Sequence, residues 1–380
     1  MNISTISNCS GCMACIDKCP KQCITVTKGK LGHLFPLVTE NQCVDCGLCL
    51  KTCPANNHSH FLQPLSVWAT WRKDENKRIE SSSGGLASVL SEVIIKTNGT
   101  VYGCAFAPLF TFKHIRCTSL EQLQLLKGSK YVQSDMRGVY TEIAQDLKVN
   151  KQVLFIGTPC QVAGVKHFFE NKDENLYTID LICHGVPSVN MLKESLPNTI
   201  WKHDFDKVEF RACTKYHFSA KSGISTVFDR PLHKDLFLKG FFTALYYRNS
   251  CYQCKYAQSK RIGDLTLGDF WGVDKEVVKT DLEKGISLCM VNTQKGQRLF
   301  DFINKYIEKV ERPIKEAFAG NKQLNHPMPH SLRAKYFSIL YPIIGFKWAV
   351  CLSIPEIIIK NLINIYLCIL NRTLYINPWG

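Results

Sequence analysis

The sequence predicts a protein of mixed α+β and α/β class, in which a small cysteine-rich module precedes a larger mixed α/β domain. Two observations carry this prediction. Residues 1–53 hold nine of the 19 cysteines, mostly in two runs of identical spacing. Further along, short apolar runs alternate with helical periodicity, which is typical of βαβ units. The 380 residues leave room for two or three domains, and 45% hydrophobic content supports a sizeable core.

Each cysteine run has the spacing C-x2-C-x2-C-x3-C-P, the pattern of bacterial ferredoxins. Three thiolates in a tight loop bind one 4Fe–4S cube and the fourth reaches the other cube, so we predict crosswise ligation. Two zinc sites or a disulfide framework are the alternatives, but zinc ribbons use two separated pairs. The predicted ligands are Cys9, Cys12, Cys15 and Cys53 for one cluster and Cys43, Cys46, Cys49 and Cys19 for the other.

The net charge and the first residues of the chain limit the cellular location and the kinds of partner that we expect. The segment 1–8 lacks the apolar core of a secretory signal, and cluster-type cysteines predict a reducing cytoplasm. The formal charge is +15, which two oxidised clusters lower by about four. The basic residues are dispersed rather than gathered on a helix with aromatics, so nucleic acid is disfavoured. We expect anionic cofactors, an acidic redox partner or a membrane surface.

The elements are predicted from periodicity in chain order. A hairpin is expected from 24–28 and 34–38, a linker over 59–66, and a strand over 67–72. A helix begins after 81–85, since Leu86, Val89, Leu90 and Val93 share one helical face. Further strands are expected at 101–106, 153–156 and 176–182, with helices near 138–148 and 161–170. Mixed α/β material continues through 235–310.

A second group of cysteines is predicted at the edge of this sheet. Cys160 follows one strand and Cys183 ends the next. If those strands are parallel neighbours, both thiols lie in the crevice where open α/β sheets bind ligands. Cys251 and Cys254 form a C-x2-C pair, and the four thiols together could hold a third 4Fe–4S cluster. A redox-active pair or buried structural thiols are the alternatives.

Three loops have the residues of an anion cradle. The segment 81–85 is rich in serine and glycine at a helix start, although such residues also cap ordinary helices. Lys130, in a glycine turn, could neutralise a pyrophosphate or be a solvated surface lysine. The candidate cofactor-binding residues are Ser83, Gly84, Gly85, Ser129, Lys130, Gly157 and Thr158. Because clusters move single electrons and most organic substrates exchange two, a converter is needed, and a flavin is the usual one.

These motifs resemble the coenzyme F420 hydrogenase/dehydrogenase beta subunit family, in which fused ferredoxin modules occur. The resemblance covers about residues 66–337. The matching segments are 82–85 (SSGG), 128–131 (GSKY), 157–161 (GTPCQ), 180–188 (DLICHGVPS), 251–256 (CYQCKY) and 263–272 (GDLTLGDFWG).

The resemblance implies FAD, a 4Fe–4S cluster in the main domain, and hydride exchange with a deazaflavin or another conjugated acceptor. It maps flavin-binding loops onto Ser83, Gly84, Gly85, Ser129 and Lys130, and cluster ligation onto Cys160, Cys183, Cys251 and Cys254. Some members of the family act on tetrapyrroles, and many bacterial members accompany polysaccharide-synthesis genes. We therefore expect four units: 1–58 (two-cluster module), 66–148 (flavin-binding part), 149–337 (C-terminal part) and 338–380 (apolar tail).

Several residues have two interpretations. His184 is a weak catalytic candidate, as a proton donor near the flavin, or a turn-stabilising residue. Arg211 and Arg248 could hold an acidic substrate or form surface salt bridges. The tail could lie on a membrane or a partner, or pack on this protein's own core. The cysteines without ligand spacing are interpreted as small buried groups: Cys23, Cys104, Cys117, Cys213, Cys289, Cys351 and Cys368.

The leading hypothesis is an iron–sulfur flavoprotein oxidoreductase that passes electrons between its clusters and a flavin, with a redox partner protein or a small hydride carrier. A non-catalytic electron-relay subunit is the second hypothesis. A scaffold in a membrane-associated glycan assembly is the third.

Overall fold

The structure is a computed structural model that describes residues 2–107, 109–170, 174–212, 215–357 and 359. The N-terminal module contains a short helix and a hairpin, followed by a second short helix. The antiparallel hairpin pairs Ile24 with Val38, as predicted. The elements of the module are α1 (Ala14–Asp17), β1 (Ile24–Lys28), β2 (Leu34–Val38) and α2 (Leu48–Thr52).

The two cysteine runs have the same backbone turn pattern. Gly11 and Met13 have positive φ angles of 74° and 64°, and the equivalent Asp45 and Gly47 have 49° and 71°. Left-handed residues that alternate with other conformations turn main-chain N–H groups into one concavity, which favours anions such as iron–sulfur clusters. The module's backbone therefore fits the clusters that its spacing predicts.

The main domain is built on one eight-stranded sheet with a smaller sheet beside it. The large sheet has the order β13-β3-β12-β11-β7-β6-β4-β5, and the small one β10-β9-β8. The strands of the two sheets are β3 (Ser66–Arg72), β4 (Thr100–Ala107), β5 (Thr111–Cys117), β6 (Val153–Gly157), β7 (Leu176–Leu181), β8 (Lys207–Ala212), β9 (Lys215–Ser222), β10 (Ser225–Pro231), β11 (Leu265–Asp269), β12 (Ser287–Val291) and β13 (Ile307–Glu311).

The centre of the large sheet is parallel. Strands β4, β6, β7 and β11 run in the same direction, and β6 pairs with β7 from Val153↔Leu176 to Gly157↔Asp180. The predicted βαβ unit and its neighbouring strands are thus confirmed. Strands β3 and β4, from the predicted 66–148 unit, pair with β12 and β6 from the 149–337 unit. The predicted boundary near residue 148 therefore falls inside one sheet.

Helices cover both faces of the large sheet. On one face, Leu86, Leu90 and Phe300 share a buried cluster with the strands. On the other, Tyr140 and Val162 pack together with Met13 of the module. The helices are α3 (Glu75–Ile79), α4 (Leu86–Lys96), α5 (Val139–Lys148), α6 (Pro159–Phe168), α7 (Val189–Ser195), α8 (Leu236–Phe242), α9 (Lys275–Val278), α10 (Gln294–Phe302), α11 (Ile314–Gly320) and α12 (Leu332–Ser353).

Helix α12 contains the first residues of the predicted apolar tail, 338–380. Phe337, Tyr341 and Phe346 pack into a core shared with the small sheet, so this part has the own-core packing that was one of the two interpretations. Among the described helices, α12 alone is long and apolar enough to cross a membrane, with mean hydropathy 1.3 and 33% of that window buried. It is kinked at Gly345 and contains Pro342. Residue 358 and residues 360–380 of the predicted tail lie outside the described residues.

Candidate functional site

The module brings the predicted first ligand set together. Burial, with smaller contributions from the neighbouring thiols of Cys53 and Cys9, raises the pKa of Cys12 to about 12. The pKa of Cys15 is raised in the same way by burial and by Cys12, Cys9 and Cys53. Cys53 therefore lies with the first run, as crosswise ligation requires. We call this group the first thiol set: Cys9, Cys12, Cys15 and Cys53.

The second set also has the crosswise arrangement. Burial raises the pKa of the Cys49 thiol, and the charges of Cys19 and Cys43 add to the rise. Cys46 is exposed, beside the exposed Val44. This set therefore lies at the surface, where a partner could approach it. The second thiol set is Cys19, Cys43, Cys46 and Cys49.

Four further thiols meet where β7 ends, although they are distant in sequence. Cys160 lies in the first turn of α6 and Cys183 follows β7. Burial raises the pKa of Cys183 well above its ordinary value, and charges on Cys251, Cys160 and Cys254 raise it further. Cys160 also raises the pKa values of Cys251 and Cys254, to about 12 and about 11, where burial is again the main cause. We call these four residues the inner thiol set; their role as cluster ligands stays a prediction.

In the described ranges, no three His, Cys, Asp or Glu side chains form a site for a single metal ion. A 4Fe–4S cube does not require that geometry, because each cysteine binds a different iron.

The three thiol sets form a continuous series. Cys49 of the second set raises the pKa of Cys15 in the first, and Cys160 of the inner set raises that of Cys12. Gly164 of α6 lies against the module, where an added Cβ would lie 3.1 Å from the Sγ of Cys12. A larger residue there would separate the module from the helix that carries Cys160.

A cavity of about 530 Å³ lies beside the inner thiol set. It opens where β6, β7 and β11 end, the edge at which α/β sheets bind ligands. Cys183 and His184 line it, as do the start of α4 and the residues of β12 at Ser287. Cys183 therefore belongs both to the inner thiol set and to the cavity wall.

The structure places six of the seven predicted cofactor-binding residues on this cavity. Gly84 is the seventh; a Cβ on it would lie 2.4 Å from the carbonyl oxygen of Thr70, so it is packed against β3 beneath the loop. The hydroxyl of Ser82 accepts a hydrogen bond from the amide of Ser129 at 3.0 Å and joins two of the predicted loops. The lining residues are Ser83, Gly85, Ser129, Lys130, Gly157 and Thr158.

Lys130 is half-buried and is not a solvated surface lysine. Its Nζ donates to the carbonyl oxygens of Leu125, Leu126 and Lys127 at 3.2, 2.9 and 2.7 Å. Burial lowers its pKa to about 8. The ammonium is therefore held by main-chain dipoles beside the cavity, with less than the usual preference for its charged form.

Sequence reasoning missed His114 of β5, which lines the cavity. Its Nε2 lies 3.0 Å from the carbonyl oxygen of Ile156, so that nitrogen carries the proton, and Ser134 donates to Nδ1 at 3.0 Å. Burial lowers its pKa to about 4. No spacing rule links residue 114 to strand β6, since the contact arises only when the sheet forms.

His184 has a defined orientation. The side-chain amide of Gln323 donates to its Nδ1 at 2.9 Å, which leaves the proton on Nε2. Burial lowers its pKa. His184 is therefore a neutral donor beside the cavity, which is compatible with either predicted role.

The two arginines do not form the surface salt bridges that were one of their two interpretations. Arg211 lines the cavity, but it is paired with Asp269 at 2.6 Å and only 6% exposed. Arg248 is 1% exposed and contacts the first thiol set. Neither forms a surface salt bridge.

The cysteines without ligand spacing are mostly buried, as predicted. Cys117 and Cys289 are fully buried, and Cys104 lines the cavity. Cys23 is buried, but it is more than a small apolar group: its Sγ lies 3.4 Å from that of Cys19. Cys351 is partly buried. Cys213 and Cys368 lie outside the described residues.

The cysteine module joined to an α/β domain defines an iron–sulfur electron-transfer protein of the oxidoreductase class. Residues 8–57 match the family model of the 4Fe-4S dicluster domain. Residues 150–315 match the model that describes the C terminus of the coenzyme F420 hydrogenase/dehydrogenase beta subunit. Residues 150–315 are therefore similar to this beta subunit family, and the dicluster match supports iron–sulfur clusters in the N-terminal module.

Thirteen chains of solved structures match the fold. One is a chain of the xenon-derivatised F420-reducing NiFe hydrogenase complex from Methanosarcina barkeri. It is 16% identical, with a TM-score of 0.48, and the match covers 69% of this chain and 91% of that one. No curated protein matches the sequence.

Proposed function

We propose that the protein is an iron–sulfur flavoprotein oxidoreductase with a third 4Fe–4S cluster on the inner thiol set and FAD in the cavity. The carrying observation is the position of Cys183, which is shared by the inner thiol set and the cavity wall. The clusters would supply single-electron transfer and the flavin the exchange of electron pairs. The series of thiol sets gives this chain a route from its exposed Cys46 loop to the cavity.

The cavity wall has the chemistry that a dinucleotide such as FAD requires. Its volume falls within the range of about 300–1,000 Å³ typical of ligand sites. The start of α4, an 11-residue helix, presents main-chain N–H groups without a side-chain cap, and Lys130 adds positive charge. Tyr131 and Phe241 stack with ring centroids 4.6 Å apart on the same wall. The start of α4 therefore suits the phosphates of FAD, and the wall with Tyr131 and Phe241 suits its ring system.

His184 is the proposed proton donor in this cavity. Gln323 fixes its tautomer, so Nε2–H is available while Nδ1 is occupied. The organic substrate would be a deazaflavin or another conjugated hydride acceptor, as the family resemblance implies, and the biological setting would be polysaccharide synthesis. The redox partner would be a protein or small carrier in the cytoplasm.

The test is iron and flavin stoichiometry on protein purified and reconstituted without oxygen. We expect about twelve irons per chain, since three cubes hold four irons each. We also expect the heated supernatant to be yellow from released flavin. Iron near eight contradicts the third cluster. A colourless supernatant favours the electron-relay hypothesis, in which the substrate site belongs to a partner.

A peripheral membrane contact is a second proposal, favoured by the exposed side of α12. Leu332, Ile339 and Ile343 are 82%, 63% and 75% exposed, while the opposite side packs in the core. A helix held by its own core can lie on a surface rather than span it. Ile339→Glu combined with Ile343→Glu, at two exposed positions, is expected to release the protein from membrane fractions; unchanged fractionation contradicts both the contact and the scaffold hypothesis.

A further inference from the structure

Arg248 is a buried cation that has no acidic partner among the described residues. Its side chain is 1% exposed. Within the described part of the chain, its hydrogen bonds go to Cys9, Leu34 and Gln133, and no carboxylate pairs with it. A buried charge is costly unless an opposite charge or strong acceptors compensate for it. Some anionic group is therefore expected next to this guanidinium.

The guanidinium is fixed against the first thiol set. Nε donates to the carbonyl oxygen of Cys9 at 2.6 Å and Nη2 to its Sγ at 3.4 Å. Nη1 donates to the carbonyl oxygen of Leu34 at 2.9 Å, and the Phe35 ring lies 4.0 Å below. Three separate contacts and a ring face hold one orientation, so the N–H···S contact is built into the fold.

Arg248 also faces the inner thiol set. Its carbonyl oxygen accepts a hydrogen bond from the main-chain amide of Cys251 at 2.8 Å. The main-chain amide of Arg248 donates to the carbonyl oxygen of Val186, three residues after Cys183. The residue therefore lies between the module and the α/β domain.

The second thiol set has the opposite environment. The Oδ1 of Asp45 lies 3.8 Å from the Sγ of Cys43, so an acidic group is its charged neighbour. Hydrogen bonds to sulfur and local charge both set the reduction potential of an iron–sulfur cluster. A cation and a donor stabilise the more negative, reduced state.

We propose that Arg248 is the counter-charge of the cluster at the first thiol set and that its contact with Cys9 raises the reduction potential of that cluster alone within the module. This rests on the proposed function only in requiring a cluster at the first thiol set. Arg248 acts as a positioning residue. By raising the reduction potential of the first cluster, it favours electron transfer from the exposed Cys46 loop towards the α/β domain.

The test combines isotope labelling with redox titration of the full, reconstituted chain. In wild-type protein grown with ¹⁵N-arginine, pulsed electron paramagnetic resonance is expected to show ¹⁵N coupling to one reduced cluster. The coupling disappears in Arg248→Met, and the midpoint potential of that same cluster becomes more negative. The other signal of the module does not move. Arg248→Lys, which keeps the positive charge but loses the forked guanidinium group, gives a smaller shift of the midpoint potential.

Absence of the ¹⁵N coupling in wild-type protein that shows its clusters, or an unchanged midpoint in Arg248→Met, overturns the inference. If Arg248→Met loses its cluster, the wild-type coupling and the Arg248→Lys midpoint decide the question. Wild-type protein without any reducible cluster overturns the proposed function as well, and is thereby distinguished from failure of this inference alone.

Discussion

The N-terminal module and the inner thiol set hold cysteines in opposite ways. In the module, each set takes three ligands from one short loop and has left-handed residues at fixed positions. In the α/β domain, the four thiols come from α6, from the end of β7 and from a turn near residue 250. The exposed Cys46 contrasts with Cys183, whose pKa burial raises well above its usual value.

This difference shows how much each site depends on the rest of the fold. Each thiol set of the module needs only the turn formed by its own cysteine run and one cysteine from the other run. The inner set exists only if β6 and β7 are parallel neighbours and the Cys251–Cys254 turn packs on them. Damage to the sheet should therefore abolish the inner site before the outer ones.

The largest expected effect tests whether the inner set binds a cluster at all. Cys183→Ser is expected to lower reconstituted iron from about twelve to about eight per chain, because one cube holds four irons. The matched control is Cys117→Ser, since that buried thiol donates to the carbonyl oxygen of Gln122 and belongs to none of the three thiol sets. Iron that is equal in both variants would contradict the third cluster.

The next effect tests the contact between the two regions. Gly164→Val would put new atoms against the Sγ of Cys12 and the hydroxyl of Tyr140, 3.1 and 2.8 Å from the Cβ position. Overpacking of this kind costs about 1–3 kcal/mol, so thermal unfolding should occur several degrees lower. Gln145→Val, at an exposed position of the neighbouring helix α5, is the control. A larger loss in the control would show that the contact is loose.

A smaller effect concerns pH at the cavity. Burial lowers the pKa of Lys130 to about 8. A bound anion favours the charged ammonium, so flavin affinity should be constant below pH 8 and fall above it. Lys130→Met is expected to bind more weakly and lose this pH dependence, as measured by equilibrium dialysis. Lys127→Met, which removes a lysine paired with Glu80, should keep it.

The smallest effect concerns the second thiol set. The Sγ of Cys23 lies 3.4 Å from that of Cys19, and because a cluster-bound Cys19 thiolate can only accept, the Cys23 thiol would be the donor. Cys23→Ala should make the midpoint potential of the second cluster slightly more negative, whereas Cys23→Ser keeps a donor and should change it less. Equal potentials in all three proteins would show that this contact has no electronic effect.

The sequence could predict what depends on local spacing. The cysteine runs, the hairpin at 24–38 and the helix face of Leu86 to Ile94 were all confirmed, since each follows from short-range geometry. The pairing of β6 with β7 was also predictable, because a strand–helix–strand unit brings parallel strands together.

Contacts made by remote residues could not be predicted. Arg248 follows an apolar segment and precedes the C-x2-C pair, but neither pattern predicts its contact with Cys9, which is 239 residues away. Gly84 was predicted to bind the cofactor, but packing against Thr70 explains its lack of a side chain. Such positions depend on tertiary contacts, which the periodicity of the sequence does not predict.

The exposed Cys46 loop has a kinetic consequence. Among the described residues, none before Lys77 lines the cavity. An electron carrier docked at the loop and an organic molecule in the cavity would not compete for the same surface. Because a hydride corresponds to two electrons, a one-electron carrier must visit twice, and the second visit can take place while the organic molecule stays bound.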